Sequence, residues 1–319
     1  MRVLVTGGTG FLGRYLVQAL VEKGWEVTVL YRSEEKLRRL PREVRPIRGD
    51  VRDAETIRGC ARGMEAIFHL AGEVAWGRRL RRRIREGHET GTRHLVEEAK
   101  RTGVSRFILT SSAAAIGFSD DGTPLGESAP FNGDRLSIGY AIAKRKAEEV
   151  VLREAETGFP GWCVNPSVIL GPRSPSFLRR VAQGRLRMTP AGGVNFVDVR
   201  DVVAGHLLAL EKGEAGTRTI LAGTNLPLEE AFKRIQRIAG KEEEVRTLSR
   251  SAARLISVAA EAASWVNGRD AALAWDMATL AGRLAYYDAS RAKQKWGWHT
   301  RPLNETLRWA FASDQTTSS

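Results

Sequence analysis

Tyr140 and Lys144 stand four residues apart inside a stretch with helical patterning from about Ile138 to Glu156. On a helix that spacing stacks the two side chains on one face. An ammonium beside a phenol stabilises the phenolate, so Tyr140 exchanges a proton nearer neutral pH than its ordinary value of about 10 permits. The pair is therefore a candidate acid–base unit. Upstream, Phe107-Ile-Leu-Thr-Ser-Ser112 reads as a buried strand ending in three hydroxyls, one of which is placed to hold a substrate oxygen. A Tyr and a Lys four apart, or a Ser-Ser after a strand, is common by itself. Their order behind a glycine-rich turn is not.

That turn lies in Val3-Leu-Val-Thr-Gly-Gly-Thr-Gly-Phe-Leu-Gly13, where an apolar strand runs into glycines and then into an amphipathic helix beginning near Phe11. Gly8, Gly10 and Gly13 fit a G-x-G-x-x-G spacing, and Gly7, Gly10 and Gly13 fit a G-x-x-G-x-x-G variant. Either serves a dinucleotide: main-chain N–H groups approach the pyrophosphate closely, and the helix points its positive end at the anion. An acid normally follows about 20 residues later to hold the adenosine ribose. Here the second strand, Glu26 to Leu30, ends in Tyr31-Arg32-Ser33. A guanidinium and a hydroxyl suit a 2′-phosphate, so NADP is favoured, with NAD the alternative if Glu34 or Glu35 turns back to the ribose.

These residues resemble the extended short-chain dehydrogenase/reductase family, also called the NAD-dependent epimerase/dehydratases, over most of the chain. The pattern is most similar to the branch holding dihydroflavonol reductases, 3β-hydroxysteroid dehydrogenases and hopanoid-associated epimerase-like proteins. The resemblance implies that Gly7, Gly10, Phe11, Leu12 and Gly13 form the cofactor turn and that Asp50 and Val51, within Gly49 to Asp53, contact the adenine. It implies that Leu70, Ala71 and Gly72, after His69, lie under the cofactor, and that Pro166 and Val168 lie along the nicotinamide. Ser112, whose spacing to Gly117 fits best, becomes the catalytic serine beside Tyr140 and Lys144, and Lys144 also holds the nicotinamide ribose. Asn195 to Val202 resembles a strand and helix start in the substrate half, and Tyr287 to Ala292, Trp296-Gly-Trp298 and Pro302-Leu303 a C-terminal signature.

Two departures carry information. His88 stands where the family usually has asparagine before x-x-Gly-Thr, so it takes over that residue's hydrogen bond and packing or adds a proton relay. Val194-Asn195 stands where nucleotide-sugar enzymes commonly carry an arginine for the diphosphate, which tilts the reading away from them, although Arg173, Arg179 and Arg180 offer cations from another segment. The implied reaction is hydride transfer between a nicotinamide and a secondary alcohol or carbonyl of a small molecule. A redox-neutral nucleotide-sugar epimerase or dehydratase, and a non-catalytic cofactor-binding regulator, are the alternatives.

The elements that position these residues alternate strand and helix from Met1 to about Pro166, with strands near Val3, Val27, Val44, Ala66, Phe107 and Trp162 to Asn165. The expected fold class is α/β: a Rossmann-type doubly wound parallel sheet (1–166), interleaved with a smaller, helix-rich substrate-binding part on the C-terminal side (167–319). The polar tail Ser313 to Ser319 is expected to fray. Cys60, read in a helix, and Cys163, read in a buried strand, lack metal-ligand spacing, so no metal is expected and a reducing cytoplasm fits. The first strand starts at residue 2, leaving no room for a signal peptide, and no run reaches a membrane-spanning length. Ala252 to Val266 is expected to be a substrate-domain helix rather than a membrane contact.

The 319 residues carry a formal charge of +13. The densest basic run, Gly77 to Arg85, has Leu80 and Ile84 four apart, which marks a solvated helix with an apolar inner face ahead of an electrostatic funnel for anions, and that ahead of a nucleic-acid patch. The expected partners are a small-molecule substrate and a second copy of the chain, a homodimer through helices including the one bearing Tyr140. No nucleic acid and no membrane insertion are expected.

Overall fold

The computed structural model describes residues 1–75, 77–174, 176–241, 244–267 and 279–311. Six strands arise from the alternating half: β1 (Arg2–Thr6), β2 (Glu26–Tyr31), β3 (Arg45–Arg48), β4 (Ala66–His69), β5 (Arg106–Thr110) and β6 (Gly161–Pro166). Between them run α1 (Phe11–Glu22), α2 (Glu34–Leu37), α3 (Ala54–Ile57), α4 (Arg81–Arg85), α5 (Gly91–Thr102) and α6 (Gly139–Glu156). The later part contributes β7 (Val168–Leu170), α7 (Ser176–Ala182), β8 (Met188–Pro190), β9 (Gly193–Asp198), α8 (Val199–Lys212), β10 (Arg218–Leu221), β11 (Thr224–Pro227), α9 (Leu228–Ile238), β12 (Arg246–Leu248), α10 (Arg250–Asn267), α11 (Ser290–Trp296) and α12 (Leu303–Phe311).

The main sheet has seven strands in the order β10-β6-β5-β4-β1-β2-β3, all parallel. A parallel sheet is covered on both faces, so its strands read as continuous apolar runs. Val3, Leu4 and Val5 of β1 are all fully buried, their side chains divided between the two faces. One face packs α1 and α8 through Leu16, Leu20 and Val202; the other packs α5 and α6 through Leu95, Ala99, Ala147 and Val151. The chain reverses its winding between β1 and β4, which opens a crevice at the carboxyl ends of those strands.

The later segment is not purely helical. β10 joins the main sheet, pairing Arg218 with Cys163 through Leu221 with Pro166. β7, β9 and β11 form a second sheet, and β8 pairs with β12. A separate apolar cluster, with Phe196, Phe232, Leu307 and Phe311, sits beneath them. Cys60 lies in a turn after α3 rather than in a helix, while Cys163 is in β6 as read. The tail expected to fray lies outside the described residues.

Candidate active site

Strand ends deliver the chemistry. Thr6, His69, Thr110 and Pro166 close neighbouring strands, so the segments after them meet at one edge of the sheet. At the glycine turn the spacing through Gly7 is the operative one. Gly7 adopts φ +72°, and a Cβ there would lie 2.6 Å from the Leu70 carbonyl carbon. A Cβ on Gly13 would lie 2.2 Å from the Gly7 carbonyl oxygen. Gly10 caps α1, and Gly8 instead packs against Val29 and Val17. Phe11 and Leu12 open α1, whose first-turn N–H groups have no intrahelical acceptor and are the natural seat of a pyrophosphate. The cradle therefore fits a dinucleotide.

A buried chain of hydrogen bonds joins this turn to the neighbouring segments, and its directions follow from valence. Thr92 donates its only hydroxyl proton to the His88 carbonyl, so His69 Nε2–H must donate to Thr92 Oγ1, 3.1 Å away. His69 Nδ1 is then the acceptor for the Thr6 hydroxyl at 2.7 Å, and Thr6 Oγ1 accepts Ala71 N–H at 3.2 Å. Burial depresses His69 to about 3, which keeps it in this neutral tautomer. Leu70 N–H donates to the Thr6 carbonyl, so residues 70–72 are fixed against Gly7.

Arg32 follows β2 directly, is 64 % exposed, and lies 3.6 Å from the Asp50 carboxylate. Asp50 is held mainly by a bidentate bond from Arg52, which pulls its carboxyl below the usual range. Val51 turns its side chain into the core, against Gly91, while its carbonyl accepts from His94 Nδ1 at 2.9 Å.

Of the three hydroxyls ending β5, only one faces Tyr140. Thr110 donates to His206 Nε2 at 2.8 Å, because His206 Nδ1–H is already given to the Val202 carbonyl. Ser111 is buried, and its hydroxyl meets no partner among the described residues. Ser112 shares a hydrogen bond with the Tyr140 phenol, while its oxygen accepts Ala114 N–H at 3.2 Å. Tyr140 and Lys144 lie one turn apart on α6, both buried. Lys144 donates to the Thr110 carbonyl at 2.8 Å, which accounts for one of its three N–H donors. The spacing of Tyr140 and Lys144 predicts a lowered phenol; burial reverses the sign and raises Tyr140 to about 12, against the opposing Ser112 hydrogen bond. Burial also pushes Lys144 down to about 8, with Glu148 working against it.

The walls come from the basic run and the histidine. Leu80 and Ile84 turn inward, as their spacing requires, and pack with Tyr140 and Ala143. His88 lies in a single π-helical turn, Glu86–Thr90, a geometry that re-aims side chains near working sites. Its ring meets the Tyr140 ring edge-on at 5.7 Å, and Nε2–H donates to the Glu73 carbonyl at 3.0 Å. Gly72 is required beside it, since a Cβ would fall 2.1 Å from His88 Cε1.

Pro166 ends β6 opposite Leu221, and Val168 starts β7 opposite Phe196. Asn195 is fully buried and bonded to Ser167, Asn225 and Gly223, so that position stitches strands together. Glu148, on the face of Tyr140 and Lys144, is signalled in the sequence only by the i, i+4, i+8 series, and no local pattern links His206 to Thr110. Among the described residues no cluster of His, Cys, Asp and Glu is arranged for a metal, and no helix is long and apolar enough to cross a membrane.

Residues 3–223 match a family described as the NAD dependent epimerase/dehydratase family. A protein from Synechocystis sp. named "Putative dihydroflavonol 4-reductase" is 31 % identical over 320 residues, covering 95 % of this chain and 91 % of the relative. "Sterol demethylase protein B" of Methylococcus capsulatus is 34 % identical over 247 residues, 75 % of each. The solved structure of a UDP-glucose 4-epimerase from Thermotoga maritima superposes with TM-score 0.80 at 24 % identity, covering 100 % of both chains, and shows the shared fold. The chain belongs to the NAD-dependent epimerase/dehydratase family and is an NAD(P)-dependent oxidoreductase of the extended short-chain type.

Proposed function

We propose that this member of the NAD-dependent epimerase/dehydratase family is an NADP-preferring reductase that converts a ketone or aldehyde of an apolar small molecule to the alcohol. The observation that carries the reading is the convergence of Ser112, Tyr140 and Lys144 beside a dinucleotide turn, with Arg32 directly after the second strand. A bound nicotinamide supplies a hydride at C4. Ser112 donates to the substrate oxygen and orients the carbonyl. As the new C–H bond forms and the C=O electron pair moves to oxygen, Tyr140 gives that oxygen its phenolic proton. A phenol raised to about 12 holds its proton at neutral pH, the state a reductive acid needs. Lys144, cationic below about 8, stabilises the phenolate left behind and has donors for the nicotinamide ribose.

Arg32 supports NADP because an exposed guanidinium after β2 would attract a 2′-phosphate that an acid at that position would repel. The names of the dihydroflavonol-reductase-like and sterol-demethylase relatives support an apolar substrate, and the buried Asn195 removes one position from which a sugar diphosphate would be gripped. Two buried free thiols with raised pKa support a reducing cytoplasm, and we expect a homodimer through helices including α6, which bears Tyr140. The test is NADPH consumption with a panel of aryl and alkyl ketones and aldehydes. The reading predicts stoichiometric alcohol formation. It fails if no panel member oxidises NADPH while UDP or TDP stabilises the protein thermally and nucleotide co-purifies.

A further inference from the structure

Glu148 is fully buried on α6, one turn beyond Lys144 and two beyond Tyr140. A lone carboxylate at such depth is costly, and two strands answer it. Asn165 Nδ2, on β6, donates to Glu148 Oε1, and Arg218 Nη1, on β10, lies 3.3 Å from Glu148 Oε2. Asn165 Nδ2 also donates to the Ser112 carbonyl at 3.0 Å. Both partners are acceptors, which fixes the amide orientation and leaves Asn165 Oδ1 without a partner among the described residues. The fold therefore holds the carboxylate in place although Asn165 Oδ1 and Glu148 Oε2 both lack a hydrogen-bond partner among the described residues, Arg218 meeting Oε2 as a charge alone.

We infer that Glu148 is a positioning residue for the reactive trio, supplying the counter-charge that holds the buried Lys144 ammonium beside Tyr140. The inference rests on the reading of Ser112, Tyr140 and Lys144 as the reacting groups. The groups facing Lys144 are Tyr140 and Glu148 on α6, Cys163 on β6, His69 on β4 and His88 on the π-helical turn, with Arg218 behind Glu148. Burial keeps both histidines neutral and the Cys163 thiol protonated, so Glu148 is the negative charge in this set and Arg218 the opposing positive one.

The test is a pH titration of the full-length, cofactor-free protein labelled with [13Cε]lysine, with the Lys144 resonance assigned by Lys144→Arg. Glu148→Gln keeps an oxygen for Asn165 but removes the charge, and should lower the Lys144 midpoint by about one pH unit or more. Glu148→Asp should restore most of that loss. Arg218→Met, which frees Glu148 from its competitor, should move the midpoint upward, and it carries the test if Glu148→Gln does not fold. An unmoved midpoint in Glu148→Gln, or a downward shift in Arg218→Met, overturns the inference. The outcomes are separable from the proposed reaction: full turnover in Tyr140→Phe would sink the reaction whatever Lys144 does, whereas an inactive Tyr140→Phe with an unmoved Lys144 would sink only the role of Glu148.

Discussion

At the residue scale the sign of one electrostatic effect decides how the site works. Proximity of Lys144 alone would make Tyr140 a ready base, but both are buried, and desolvation favours the neutral form of each. Tyr140→Phe should therefore cost about 10²- to 10⁴-fold in kcat for carbonyl reduction while the melting temperature stays close to that of the parent. The reductive rate should hold at neutral pH and fall as Lys144 loses its proton near 8; a flat profile from pH 7 to 10 would deny the lysine this role. Spacing revealed which side chains share a face. It carried no information on depth, and depth sets the direction of the shift. The same blindness left the choice among Thr110, Ser111 and Ser112 to the family resemblance, because the partner that occupies Thr110 is His206, 96 positions away.

Elements show the same division. β1, the glycine turn and α1 were legible because a continuous apolar run, glycines at fixed offsets and a helical period coincide within 22 residues. β7, β8 and β12 were not, at 3 residues each, too short for a period to register. The π-helical turn that carries His88 was also hidden, since five residues, Glu86–Thr90, are too few for a change of helical period to register. Its fit to Gly72 is checkable by a double-mutant cycle. Gly72→Ala should destabilise by about 1–3 kcal/mol, and adding His88→Asn, a smaller side chain, should recover part of the loss. Strict additivity in denaturant titrations would show that the two do not press on each other.

For the whole molecule, buried neutral histidines tie stability to pH. His69 and His206 titrate near 3 and 4 in the folded protein against about 6.5 when unfolded. Between those limits the unfolded chain binds more protons, so stability is present above about 6.5 and declines as pH falls, by about 1.4 kcal/mol per unit for each histidine. Urea titrations at pH 6.5 and 5 should show the loss, and His206→Asn should reduce its slope; an equal slope in that variant would remove His206 from the account.

The basic charge of the chain also reads differently once folded: Arg82 and Arg83 of the arginine run pair with Glu86 and Glu73, and the run's apolar face becomes a wall of the site. What most directly separates a net reductase from a redox-neutral enzyme is cofactor exchange, because a reductase must release NADP at every turnover. Calorimetric titration of stripped protein with NADP and NAD, alongside Arg32→Asp, measures this. The account predicts at least about tenfold tighter binding of NADP, about 1.4 kcal/mol, and loss of that margin in Arg32→Asp. Tighter binding of NAD, or nucleotide that cannot be stripped, would contradict it.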